Sequence, residues 1–201
     1  MKQFRGIFTV GITGASGAIY GVRLVQELIR QNYKIHLIVT EAGWQVFREE
    51  LGLDTTNRIE VIQKLFGENC EQFSYHTLQD YTAPIASGSY QNDGMIVIPC
   101  SMGTMSGIAH GSSRNLLERT ADVMLKEGRP LIIVPRETPL NQIHLENMLK
   151  ISKVGGKILP AMPGFYQLPK SMDDLINFVV GKALDSLGVG HELFTRWGDK
   201  K

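Results

Sequence analysis

Short apolar runs rich in Val and Ile alternate along this chain with stretches of helical period, and few architectures accommodate that alternation. Strands buried on both faces and joined by helices make a parallel sheet covered on each side. The first run spans Gly6 to Thr13, and a turn of small residues follows from Gly14 to Gly17. Val22, Val25 and Ile29 then recur at helical spacing, with Leu24 and Leu28 widening the stripe. Lys34 to Thr40 reads as a second strand and Glu41 to Leu51 as a short helix. Gly94 to Pro99 and Leu131 to Pro135 are continuous apolar runs, as expected of strands buried on both faces, and Ile158 to Pro160 is a last short strand. Helices are predicted after the Cys100 to Gly103 turn, over Asn115 to Glu127, and from about Leu140 to Lys153. The last helix is marked by Leu175, Ile176, Val179, Val180, Ala183, Leu184 and Leu187, and Ser171 with Asp174 makes a capping box at its start. Residues 51 to 80 show no clear period, and Thr82 to Ser89 reads as a loop. The expectation is a Rossmann-like α/β three-layer sandwich with a parallel central sheet. It forms a single domain over residues 1–189, followed by a polar tail over 190–201 that holds Phe194 and Trp197.

Composition narrows the partners. The 201 residues carry 21 Lys plus Arg against 20 Asp plus Glu, a formal charge of +1, so no general basic surface holds nucleic acid. Two cysteines, Cys70 and Cys100, are too few for a disulfide-stapled scaffold, and free thiols in a reducing compartment are the simpler reading. The apolar start is broken by Thr9 and Gly11 and is too short for a signal peptide. No run approaches the roughly eighteen residues of a membrane span. A cytoplasmic protein without membrane attachment is expected.

In such sheets ligands bind beyond the carboxyl ends of the strands. Thr13 to Gly17 has the small side chains that let backbone N–H groups approach a phosphate at a helix N-terminus, or it is an ordinary tight turn. It lacks the Gly-Lys-Ser/Thr of a P-loop and the dinucleotide glycine spacing. Cys100 to Thr104 repeats the device after another strand, so a nucleotide-like ligand is favoured. Cys100 itself reads as a half-buried structural thiol rather than a nucleophile. Arg136 and Glu137 directly follow a strand, where a cation holds phosphate and a carboxylate moves a proton. Other motifs fail: Gly14 to Ala18 misses the nucleophile elbow at its last residue, and Gly103 stands where a zinc deaminase needs cysteine. Asp173 to Asn177 lacks the last carboxylate of a magnesium-dependent prenyl diphosphate motif, and the five histidines show no ligand spacing, so no metal is expected.

Taken together, the loops resemble the flavin prenyltransferases of the UbiX type. The matching blocks are Gly11 to Gly21, Ala86 to Ser89, Ile98 to Thr104, Ala121 to Glu127, Pro135 to Pro139, Ile143 to Leu149 and Pro160 to Tyr166, nearly the whole chain outside about 51 to 80. The resemblance implies a flavodoxin-like fold and a metal-independent transfer of a dimethylallyl group from dimethylallyl monophosphate to N5 and C6 of reduced FMN. The product, prenylated FMN, would serve UbiD-type decarboxylases. It further implies that Gly14, Ala15, Ser16, Thr40, Ser101, Met102, Gly103, Thr104 and Arg136 hold FMN. Lys126, Tyr166 and Lys182 would grip the prenyl phosphate, and Ser16, Glu50 and Glu137 would carry the proton and leaving-group chemistry.

Allylic carbon–oxygen cleavage builds positive charge on the prenyl group and negative charge on phosphate, which suits cations for one and aromatic faces for the other. Tyr81 is such a face or a packing tyrosine. Lys182 stands where Arg is common and loses the bidentate fork; Thr40 stands where Ser is common and keeps the hydroxyl. The resemblance also implies a symmetric homo-oligomer, commonly a dodecamer, with sites at subunit junctions. Two alternatives stay beside this reading: an FMN-dependent cysteine decarboxylase of the related family, and a non-catalytic subunit that delivers flavin.

Overall fold

In the computed structural model, which describes residues 4–67 and 71–198, six strands pair in parallel: β1 (Ile7–Ile12), β2 (Lys34–Val39), β3 (Phe73–His76), β4 (Gly94–Cys100), β5 (Leu131–Pro135) and β6 (Lys157–Ile158). Their order across the sheet is β3-β2-β1-β4-β5-β6. The helices are α1 (Ala18–Arg30), α2 (Glu41–Leu51), α3 (Arg58–Phe66), α4 (Met102–Ala109), α5 (Leu116–Lys126), α6 (Gln142–Lys153) and α7 (Met172–Ser186). Side chains alternate across a strand, so each strand feeds two cores. Val10, Ile12, Ile35 and Leu37 pack under α1, α2, α3 and α7, while Ile38, Met95, Val97 and Ile133 pack under α4, α5 and α6.

Six helix starts are fixed by side chains, of which only the Ser171 cap was read from the sequence. Thr40, Asn57, Ser101, Asn115, Asn141 and Ser171 each accept a backbone N–H at a helix N-terminus. Such caps contribute about 1 kcal/mol each. Asp173 and Asp174 serve α7 structurally: Asp174 closes the capping box and Asp173 pairs with Arg23 at 2.8 Å.

Three features depart from the sequence reading. The segment without period holds α3 and β3; β3 is an edge strand whose four residues are all half-buried, so no apolar run announces it. Cys100 is fully buried rather than half-buried, and burial pushes its thiol far above the ordinary cysteine range, which makes it inert. Cys70 lies outside the described residues. Finally, the segment after α7 folds back on that helix. Arg196 grips Asp185 through two nitrogens at 2.7 and 3.1 Å, and the His191 and Phe194 rings lie over Gly181, where a Cβ would meet them at 2.6 and 2.5 Å.

Candidate active site

The helices after β1 and β4 leave toward opposite faces of the sheet, and between two such neighbouring strands a crevice opens at their carboxyl ends. The two small-residue loops flank this crevice. Thr13, fully buried, ties them together: its hydroxyl donates to the Pro99 carbonyl at 2.9 Å and accepts the Ser101 N–H at 2.7 Å. Gly14 packs so tightly on α2 that a Cβ would stand 2.4 Å from that of Ala42. A side chain there would force α2 outward, at a cost of about 1–3 kcal/mol. Gly17 sits at φ 104°, a left-handed conformation that suits glycine, and turns the chain into α1.

The first turn of α1 has no cap of its own, and Glu50 supplies one from the end of α2. Its carboxylate accepts the Gly17 N–H at 2.9 and 3.2 Å and the Ala18 N–H at 3.1 Å. A carboxylate is favoured there by the helix dipole. Two of the N–H groups expected to face a phosphate are therefore occupied by Glu50. From the other side, the Arg136 guanidinium donates to the Ser16 carbonyl at 3.2 Å. Glu50, Ser16 and Arg136 thus converge on one turn, although they lie on three separate elements.

Across the crevice Ser101 caps α4, accepting the Thr104 N–H at 3.4 Å and donating to the Thr104 hydroxyl at 3.1 Å. Nothing lies within 4 Å of where a Gly103 Cβ would stand, so this first turn presents N–H groups and hydroxyls to an open side. Thr40 directly follows β2 and caps α2 through the Gly43 N–H at 3.0 Å. Glu137 is exposed and accepts the N–H of Thr138 at 3.1 Å. Small residues, hydroxyls, a helix N-terminus and one guanidinium along a slot fit a flat, acceptor-rich ring system carrying phosphate, as in FMN.

The residues expected to grip a prenyl phosphate are not gathered here. Lys126 ends α5 beside Gly88, where it pairs with Glu127. Between it and Arg136 runs the whole of β5, roughly 16 Å for five residues. Lys182 lies on α7, 3.8 Å from Asp185, in the opposite helical layer from Lys126. Tyr166 stands edge-on to Phe178 and Trp197, at centroid distances of 5.7 and 5.4 Å. Tyr81 is 45% exposed, with its hydroxyl 3.4 Å from the Ser113 carbonyl. Among the described residues no group of three or more His, Cys, Asp and Glu is arranged to hold a metal ion, and no helix is long and apolar enough to cross a membrane.

Comparison with known proteins identifies the family. The Flavoprotein family model matches residues 2–184. Flavin prenyltransferase UbiX of Halalkalibacterium halodurans is 73% identical over 201 residues, covering 100% of this chain and 98% of the relative. The chain belongs to the flavin prenyltransferase UbiX family. A solved UbiX structure, AnUbiX (PadA1) in complex with FMN and dimethylallyl pyrophosphate, superposes with a TM-score of 0.88 at 38% identity, covering 98% of this chain and 100% of that one. A dodecameric FMN-dependent UbiX-like decarboxylase from Escherichia coli O157:H7 gives 0.85 at 42% identity, over 96% and 100% of the two chains.

Two roles at this UbiX-family site escaped the sequence reading. Thr13 was read as the end of a strand and the start of the small-residue loop, and only its two partners reveal it as the clasp between loops. Tyr20 lies with its ring against Gly17; burial raises its hydroxyl above the ordinary tyrosine range, with Arg136 opposing and Glu50 adding to the shift. Its place on the first turn of α1, three residues past the glycine, was the available signal.

Proposed function

We propose that this chain is a flavin prenyltransferase that joins a dimethylallyl group to N5 and C6 of reduced FMN. The observation that carries the reading is the convergence of Glu50, Ser16 and Arg136 on the turn between β1 and α1, in a chain 73% identical to a flavin prenyltransferase over its full length. When bound, reduced FMN supplies the nucleophilic ring positions, and the protein holds, orients and neutralises. Ser101 to Thr104 and Gly14 to Ser16 hold the ring system between the loops, with Thr40 behind them and Arg136 facing its acceptors. Glu50 is placed to accept a proton, and doing so weakens its hold on the Gly17 and Ala18 N–H groups, which are then free for an anion. Glu137 stands at the same edge as a second proton carrier.

Lys126, Tyr166 and Lys182 neutralise the leaving phosphate, and Tyr81 offers an aromatic face to the prenyl cation. Because Lys126 and Lys182 lie on opposite layers of one chain, we infer that they meet across copies in a symmetric assembly, a dodecamer like that of the structural relative. The product serves a UbiD-type decarboxylase in the cytoplasm, and dimethylallyl monophosphate is the donor. A cysteine decarboxylase or a flavin-delivery subunit would have no need of these three side chains as a phosphate grip.

The test is anaerobic incubation of the protein with reduced FMN and either dimethylallyl monophosphate or dimethylallyl pyrophosphate, followed by mass measurement of the extracted flavin. A gain of one isoprene unit with the monophosphate is expected. Unchanged FMN in both arms would sink the reading, and a gain only with the pyrophosphate would reassign the donor.

A further inference from the structure

Beside the edge strand lies a cluster of ionisable groups that the proposed chemistry does not use. His36 on β2 is 2% exposed. Its Nδ1 is 2.8 Å from Nε2 of His76 on β3, and its Nε2 is 2.9 Å from the Tyr90 hydroxyl. His76 Nδ1 in turn lies 3.3 Å from the Asp80 carboxylate, whose other oxygen accepts the Thr82 hydroxyl. The two imidazoles stack at a centroid distance of 5.1 Å.

Proton counting assigns every direction in this chain. A carboxylate only accepts, so His76 donates from Nδ1. Neutral His76 then accepts at Nε2, which requires a proton on Nδ1 of His36. His36 accepts at Nε2, so Tyr90 donates. Burial raises the Tyr90 hydroxyl above the ordinary tyrosine range, which keeps it a donor. Both histidines therefore hold the Nδ1–H tautomer, with each nitrogen partnered.

One added proton can be absorbed by reversing the line. It enters at His76 Nε2, making an imidazolium held by Asp80; His36 moves its own proton to Nε2, accepts from His76 at Nδ1 and donates to Tyr90. A second proton sets two N–H groups against each other, and the contact between strands is lost. The charged and titratable groups facing His36 and His76 are Lys34 on β2, Asp80 on the turn after β3, and Tyr90, whose carbonyl accepts from Arg129 at 2.7 Å.

We propose that Tyr90, His36, His76 and Asp80 form a proton-counting brace, which tolerates one proton by reversal and on the second loosens the exposed turn from residue 79 to residue 82, between the Leu78 carbonyl held by Leu116 and the buried Ala83. His36 and His76 are positioning residues, because that segment carries Tyr81; this catalytic consequence rests on the function proposed above. The sign follows from linkage. Docked, His36 is pushed down to about 4 by burial and by the neighbouring His76 and Lys34. Released, it titrates near the ordinary value of about 6.5. The brace therefore stabilises fully above about pH 6.5 and is lost as pH falls through 4.

Two measurements test this. Long-range proton–nitrogen NMR on nitrogen-15-labelled protein at pH 8 is expected to show His36 and His76 both as Nδ1–H tautomers; either one as Nε2–H overturns the brace. In Asp80→Asn the amide oxygen still accepts from His76, but the first added proton loses its counter-charge. The acid rise in KM for dimethylallyl monophosphate should then begin about one pH unit higher than in the parent, with FMN affinity at pH 8 unchanged. Superimposable pH profiles of KM for the two proteins refute the positioning role. A parent that makes no prenylated flavin at any pH defeats the function proposed above, whereas the tautomers are read without turnover.

Discussion

The flavin half and the prenyl-phosphate half of the site are built on different principles. The residues proposed for the first are drawn together within one chain at the carboxyl edge of the sheet: Thr13 holds Ser101, Arg136 holds the Ser16 carbonyl, and Glu50 holds the Gly17 and Ala18 N–H groups. The second is scattered, with Lys126 at the far end of β5 in one layer and Lys182 in the other. Backbone topology alone delivers the flavin slot, because every parallel strand brings its following loop to the same edge. The phosphate grip, as proposed, is completed only by how copies are arranged.

The largest expected effect separates chemistry from binding within the first half. Glu137→Gln should leave FMN affinity nearly intact and slow prenylated-flavin formation by about 10² to 10⁴. Equal single-turnover rates in variant and parent would remove Glu137 from the mechanism. A second test breaks or secures the contrast between halves. Lys126→Ala and Lys182→Ala, each inactive alone, are unfolded, mixed in equal amounts and refolded together. If the two lysines of one site come from different copies, roughly a quarter of sites in random assemblies regain both, and activity returns. No recovery, in mixtures shown by native mass spectrometry to be hybrid, would place both lysines of a site on one chain. The smallest effect sharpens the phosphate grip: Lys182→Arg restores a bidentate fork and should lower KM for the prenyl donor a few-fold while kcat stays the same. A raised KM would show that Lys182 acts as a point charge.

The same contrast explains what could be read from sequence. Buried strands such as Ile96 to Ile98 and Ile132 to Val134 are legible because burial on both faces demands continuous apolar residues. The slot residues next to them were legible for the same reason, since each follows a strand directly. β3 escaped because an edge strand mixes Ser74 and His76 with Phe73 and Tyr75; α3 could have been found from Asn57 with Glu60 three residues on. The placement of Lys126, Tyr81 and Tyr166 had no local signal, for it depends on chain reversals. Glu50 is intermediate: its helix was read with the correct limits, but its role as the cap of α1 depends on two helices meeting in space.

Thr13 sets the gauge of the crevice. Its hydroxyl is the rivet between two jaws, one continuing into α1 and the other into α4, and it sits beneath the slot at the level of the sheet. Residues that line the slot decide what is held, but the spacing at which they face one another is decided one layer lower. Changes of ligand preference in this scaffold can therefore arise from a buried position whose side chain need never meet the ligand.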